Sequence, residues 1–217
     1  AWDGDFDRCF FFDENGQFID NYYLTGMISK VLLEQEKGSN IIHDPRLIWN
    51  TREEVQNYGG HPIQSKAGHS FIKEKMREHT AIYGGEMSGH HYFKDFYFSD
   101  SGMIPWLLVA EIMSKTNQPL SELVSKRMQQ YPISGEINIE IHRPEQLLEE
   151  IKNRYQNQSV SVDDIDGYSF DLESWRFNLR MSNTEPLVRL NVETRADKKL
   201  LNTKTDEILN LIATLQE

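Results

Sequence analysis

The chain has 217 residues, a net charge of −11, 38% apolar residues and 26% charged residues. That composition excludes a disordered chain, and the negative charge excludes general binding to a nucleic-acid backbone, which would repel it. No apolar run approaches a membrane span, no signal peptide is visible, and the single cysteine, Cys9, excludes an internal disulfide and fits a reducing, cytoplasmic compartment.

The first stretch with chemistry is D-G-D-F-D-R, residues 3–8. Asp3, Asp5 and Asp7 packed closely would repel one another and raise their own pKa values, and a divalent cation relieves this with oxygen ligands. Gly4 lets the loop bend around an ion. A solvated acidic turn is the alternative. Arg8 at the position that needs glycine and the lack of an entering helix count against an EF-hand. Phe10, Phe11 and Phe12 read as a strand leaving the loop. There is no initiator methionine and the motif comes at once, so the chain is expected to begin inside a longer protein.

Residues 24–36 read as a helix with Leu24, Ile28 and Leu32 on one face, closed by Gly38. A strand is expected over 40–43, a helix over 52–58 and a strand over 61–65. A helix over 71–79 and a strand over 81–83 follow, the strand running into Gly84 and Gly85. Two more helices are expected over 100–113 and 120–131. Alternating strands and helices predict an α/β domain with a largely parallel mixed sheet. After a linker at 132–135 the pattern changes. A strand over 136–141 and a helix over 143–155 precede strands over 167–172, 175–180 and 188–193, and a closing amphipathic helix starts near 197. This predicts a smaller α+β domain with an antiparallel sheet and helices on one face.

Two further stretches concentrate polar chemistry. Residues 84–91, G-G-E-M-S-G-H-H, follow a short strand, where α/β proteins place ligand loops. A carboxylate, a hydroxyl and imidazoles suit sugar hydroxyls, and a polar loop with incidental histidines is the alternative. Residues 180–189, R-M-S-N-T-E-P-L-V-R, place two arginines around a turn of hydroxyl and amide side chains. Such donors form a phosphate nest, and a plain hairpin turn is the alternative.

In this order and spacing, over nearly the whole chain, the three stretches resemble the α-D-phosphohexomutase family. D-G-D-F-D-R is similar to that family's metal loop, usually D-G-D-G-D-R, with Phe6 in place of a glycine. G-E-M-S-G-H resembles its sugar-binding loop and R-M-S-N-T-E-P-L-V-R its phosphate-binding loop. Residues 83–88 and 175–180 look closest to the bacterial members that act on mannose phosphates. The resemblance implies that Asp3, Asp5 and Asp7 bind Mg²⁺ and that Arg8 sits beside the reacting phosphate. Glu86 and Ser88 would hold sugar hydroxyls in either of two orientations. His90 and His69 would line the active site and help with proton transfer or charge balance, with Lys66 a further candidate and His91 without a role. Arg180, Ser182, Asn183, Thr184 and Arg189 would grip the non-reacting phosphate.

Members of the family carry four domains and a phosphoserine in the first, and no serine here stands in that context. The resemblance therefore implies that residues 1–19 are the tail of the second domain with the metal loop. Residues 20–132 would be the α/β sugar-binding domain and 133–217 the α+β phosphate-binding domain. The expected partners are a hexose phosphate and the remaining amino-terminal domains, with no nucleic acid and no membrane. Met87 favours mannose or glucose phosphates over glucosamine phosphates. The alternatives are a glucose-specific mutase of the family or a non-catalytic phosphosugar-binding module.

Overall fold

The computed structural model describes residues 1–182 and 185–216. Packing divides the chain into two units, residues 1–44 with 48–127, and residues 45–47 with 128–217.

The first unit opens on a small hairpin of β1 (Phe11–Phe12) and β2 (Phe18–Ile19). Asp20 then caps α1 (Asn21–Gln35), its Oδ1 accepting the Tyr22 N–H at 2.8 Å. β3 (Asn40–His43), α2 (Trp49–Asn57), β4 (His61–Gln64), α3 (His69–Glu78) and β5 (Tyr83–Gly85) follow. They alternate as the sequence pattern predicts, and β3 runs parallel to both β4 and β5. β6 (His91–Phe93), β7 (Ser99–Asp100), α4 (Met103–Thr116) and α5 (Leu120–Gln130) as far as Arg127 complete the unit.

The sheet order is β4-β3-β5-β6-β7, and the β5–β6 and β6–β7 pairings are antiparallel. The sheet is thus the expected mixed one, but two of its four pairings are antiparallel. Neither β6 nor β7 stands out in the sequence. Only residues 86–90 separate β5 from β6, and a parallel crossover needs about a dozen residues or more, so the chain has to fold straight back. The helix expected from residue 100 starts instead at Met103, because Ser99 and Asp100 pair with Phe93 and Tyr92. The strand expected over 81–83 extends through two glycines. A Cβ on Gly85 would lie 2.6 Å from the Thr25 side chain, so only glycine lets α1 lie this close to the strand.

The second unit has one antiparallel sheet in the order β8-β12-β11-β10-β9. Its elements are β8 (Ile137–Glu140), α6 (Pro144–Tyr155), β9 (Ser161–Asp163), β10 (Tyr168–Asp171), β11 (Trp175–Met181), β12 (Leu187–Thr194) and α7 (Lys198–Gln216). β9 is an exposed, three-residue edge strand with no alternating signature to predict it. Trp175, Phe177 and Leu179 of β11 and Val188, Leu190 and Val192 of β12 share one buried face with Leu147, Ile151 and Tyr155 of α6 and Leu201, Ile208 and Ile212 of α7. Trp175, Phe177 and Phe170 stack there with ring centroids 5.4 and 4.8 Å apart.

The opposite face of β11 and β12 is polar yet also buried, through Arg176, Asn178, Asn191 and Glu193. Register sets Arg176 directly across from Glu193, and Nη1 donates to Glu193 Oε1 at 3.2 Å. The same guanidinium donates to the carbonyls of Arg46 and Pro45 at 2.7 and 2.6 Å, which fastens residues 45–47 to this sheet. Among the described residues no helix is long and apolar enough to cross a membrane.

Arg176→Met leaves the fully buried Glu193 carboxylate without its cross-strand cation. Removing one partner of a buried pair costs about 3–5 kcal/mol. Urea unfolding should show that loss as a lower midpoint with an unchanged slope, and a change below about 1 kcal/mol would contradict the role given to this pair.

Candidate active site

The strand ends of the first unit converge on the turn at 86–90. Glu86 N–H donates to the His90 carbonyl at 3.0 Å and Gly89 N–H to the Glu86 carbonyl at 3.1 Å, with Gly89 at φ +95°. The Glu86 side chain is buried, and its donors come from different elements. The Gly68 N–H donates to Oε1 at 2.6 Å, and the Tyr92 hydroxyl to Oε2 at 2.9 Å. Ser88 Oγ reaches Oε2 at 3.4 Å. Asp44, just beyond β3, accepts the Met87 N–H at 2.7 Å. Burial and the nearby Glu86 charge push the Tyr92 phenol upward, which keeps it a donor. Of the remaining candidates here, His69 is exposed on the first turn of α3, and Lys66 Nζ lies 5.3 Å above the Phe71 ring.

The acidic loop is joined to this turn by backbone. Arg8 and His90 form an antiparallel bridge, and Cys9 N–H donates to the Gly89 carbonyl at 3.0 Å. Carboxylate oxygens of Asp3, Asp5 and Asp7 all lie within 4.8 Å of one another. Phe6 sits at φ +63°, a left-handed conformation that costs a non-glycine residue about 1–2 kcal/mol, and its side chain is 58% exposed. Arg8 Nε lies 3.3 Å from Asp3 Oδ2 and 3.0 Å from His90 Nε2. Asp7 Oδ1 is buried without a hydrogen-bond partner. Burial pushes the Asp7 carboxyl above the usual range; His90 opposes that and the charges of Asp5, Asp3 and Asp100 add to it. Three converging carboxylates, one with a buried oxygen that has no hydrogen-bond partner, fit a hard cation such as Mg²⁺.

The second unit holds the arginine cluster. Register sets Arg180 directly opposite Arg189, a like-charge pair that destabilises a hairpin unless it is compensated. Glu136 compensates it: Arg180 Nη2 lies 3.2 Å from Oε2, and Arg189 Nη1 3.3 Å from Oε1. Arg46 Nη1 adds a third guanidinium at 3.2 Å from Oε2. Burial alone would raise the Glu136 carboxyl, but Arg46 and Arg180 outweigh it and hold it below its ordinary value. Glu185 Oε2 also lies 3.7 Å from Arg189 Nη2, and three guanidinium groups against these two carboxylates leave a net positive site suited to a further anion. Ser182 N–H donates to the Leu187 carbonyl at 2.9 Å at the base of the adjoining turn. Asn183 and Thr184 lie outside the described residues.

Glu136, Arg46, Asp44, Asp100 and Lys73 were not singled out in the sequence. Each is a lone charged residue whose partners lie far along the chain, and no local pattern distinguishes it from solvated surface. His91 is a core histidine. Burial pushes its imidazole down to about 3, and Nδ1 lies 2.5 Å from the Tyr83 hydroxyl.

A mixed α/β sheet followed by an antiparallel sheet is the order of the third and fourth domains of hexose-phosphate mutases. Residues 20–131 match "Phosphoglucomutase/phosphomannomutase, alpha/beta/alpha domain III" and residues 136–211 match "Phosphoglucomutase/phosphomannomutase, C-terminal domain". The chain belongs to the phosphoglucomutase/phosphomannomutase family. It is 55% identical over 212 residues to "Phosphohexose mutases" of Xanthomonas campestris pv. campestris, covering 98% of this chain and 47% of that one. It is 53% identical over 212 residues to a phosphomannomutase of Escherichia coli, covering 98% and 46%. The chain thus spans about half the length of the curated relatives it matches. Among solved structures, a phosphoglucomutase/phosphomannomutase family protein of Burkholderia thailandensis superposes with TM-score 0.83 at 28% identity, over 97% of this chain and 45% of that one. The fold is shared as well with an Aspergillus fumigatus N-acetylphosphoglucosamine mutase solved with GlcNAc-6P and magnesium, at TM-score 0.66 and 13% identity, over 100% and 48%.

Because the folded state raises the Asp7 pKa, this carboxyl favours folding below its unfolded value and loses that contribution as pH rises through the folded one. Asp7→Asn should therefore melt higher than the unaltered chain near neutral pH in EDTA. Mg²⁺ should raise the melting temperature of the unaltered chain near neutral pH, progressively less as pH falls and the raised Asp7 carboxyl takes up its proton, and not at all in the variant. A Mg²⁺ shift that survives Asp7→Asn would remove Asp7 from the ligand set.

Proposed function

We propose that this chain is the carboxy-terminal part of a phosphomannomutase, which interconverts mannose 1-phosphate and mannose 6-phosphate through a phosphoserine carried outside these residues. The observation that carries this reading is the backbone pairing of residues 8–9 with residues 89–90. It sets a three-carboxylate oxygen cluster beside a buried carboxylate, which suits a phosphoryl group next to a sugar hydroxyl. Relatives named phosphomannomutase at 52–55% identity support mannose as the hexose. The reducing cytoplasm is the compartment, and the 1-phosphate serves GDP-mannose synthesis.

In this reading Asp3, Asp5 and Asp7 hold Mg²⁺, which supplies charge neutralisation to the phosphoryl group in transfer. Arg8 neutralises the reacting phosphate. A carboxylate offers about four acceptor sites, and Gly68, Tyr92 and the long Ser88 bond occupy three on Glu86. One site is left for a sugar hydroxyl, and Ser88 can exchange its weak bond for another. Few and exchangeable contacts let the same loop accept the two orientations in which the 1- and 6-positions react. His90 and His69 handle the proton of the attacking hydroxyl. Arg180, Ser182, Asn183, Thr184 and Arg189 hold the phosphate that does not react, which anchors the sugar through both transfers.

Two measurements test this. Arg180→Ala should weaken mannose 6-phosphate binding to the chain by about 1.5–3 kcal/mol, the range for hydrogen bonds to charged groups. Backbone NMR shifts should centre on Ser182, and shifts confined to Glu86 would overturn the phosphate assignment. The 217 residues assayed alone with mannose 1-phosphate, Mg²⁺ and a trace of hexose bisphosphate should give background only, since in this reading the phosphoryl donor lies outside them. Robust turnover would require a nucleophile among these residues and overturn the proposal.

A further inference from the structure

His90 is gripped on every polar edge. Arg8 Nε–H can only donate, and it lies 3.0 Å from His90 Nε2, so that nitrogen presents its lone pair. The ring proton then sits on Nδ1, which lies 2.9 Å from Asp100 Oδ2 and 3.7 Å from Asp7 Oδ2. Only the first distance is that of a hydrogen bond. The other oxygen of Asp100 is held by Lys73 Nζ at 2.6 Å, and Lys73 itself lies 5.7 Å above the Tyr92 ring. The His90 ring stacks on that same tyrosine at 6.0 Å and 27°. Asp100 is fixed from the backbone as well, since β7 pairs it with Tyr92 and the Ser101 N–H donates to the His91 carbonyl at 3.0 Å.

We infer that Asp100, held by Lys73, is the positioning residue of His90: it accepts the Nδ1–H, fixes that tautomer, and aims the Nε2 lone pair at Arg8 and the acidic loop. The identity of the protonated nitrogen is set by the hydrogen bond that the other one makes, and here a carboxylate on a rigid strand makes it. For the proposed mutase this decides which ring nitrogen faces the reacting groups, so its importance for catalysis rests on that reading. The tautomer itself does not.

The test is made on the chain labelled with ¹⁵N-histidine, without metal or sugar phosphate, with His90 assigned by the loss of its signals in His90→Gln. The unaltered chain should show a protonated Nδ1, a bare Nε2 and a hydrogen-bonded Nδ1–H resonance. Asp100→Ala should lose that resonance and leave the ring nitrogens exchanging between protonated forms, no longer held in one by two partners, while amides far from His90 keep their shifts. Asp100→Asn, whose Oδ1 can still accept, should restore it. A protonated Nε2 in the unaltered chain overturns the inference with no variant needed, and so does an unchanged His90 pattern in Asp100→Ala. Because neither ligand is present, failure here leaves the phosphosugar reading standing, and failure of sugar phosphate to bind leaves this one standing.

Discussion

The geometry of the first unit hangs on one tight reversal, the turn at residues 86–90. A strand that has run parallel to its neighbour is made to return antiparallel within a few residues, through two glycines and a left-handed Gly89. That return buries the Glu86 carboxylate where the chain after β4 can donate to it, and where Tyr92 on the returning strand can too. It also leaves the backbone of Gly89 and His90 free to pair with Arg8 and Cys9. The acidic loop, the buried carboxylate and His90 are thus positioned by main-chain hydrogen bonds rather than by long side chains, which limits how far they can drift.

Charge is balanced locally in each unit despite the net charge of −11. In the first unit the sequence Lys73, Asp100, His90, Arg8, Asp3 alternates donor and acceptor through neighbouring contacts. Asp7 is the weakest-matched member: Arg8 Nε comes only within 4.0 Å of its Oδ1, which has no hydrogen-bond partner, and burial raises its pKa. This is the condition under which a cation is gained most readily. In the second unit the excess is of the other sign. Arg180, Arg189 and Arg46 share Glu136, Arg189 also meets Glu185, and the remaining positive charge suits a further anion.

The two faces of the second sheet do different work. One is an ordinary apolar interior of stacked aromatics and aliphatic side chains under α6 and α7. The other is a buried polar ladder in which cross-strand pairs are specified one by one: Arg176 with Glu193, Asn178 opposite Asn191, and Arg180 opposite Arg189. A slip of one residue would bring the apolar face out and break the Arg176–Glu193 pair, so these constraints define the register that places the two arginines side by side.

Local pattern alone determined much of this protein. The helices at 21–35, 144–155 and 198–216 and the strands at 40–43, 175–181 and 187–194 follow from periodicity, caps and alternation, because those signals act within a few residues. The three polar stretches were visible for the same reason, each being a dense local run of chemistry. Tertiary structure alone decided the rest. β6 and β7 exist because residues 86–90 are too few for a crossover, and β9 because an edge was available. Asp100, Lys73, Arg46 and Glu136 acquire meaning only through partners as far as 90 residues away, as between Arg46 and Glu136. Arg176 lies on the polar side of an alternating strand, yet it is buried, because residues 45–47 return to cover it with two carbonyls. A charge in a sequence looks the same whether water or a carboxylate will solvate it, and only the folded chain determines which.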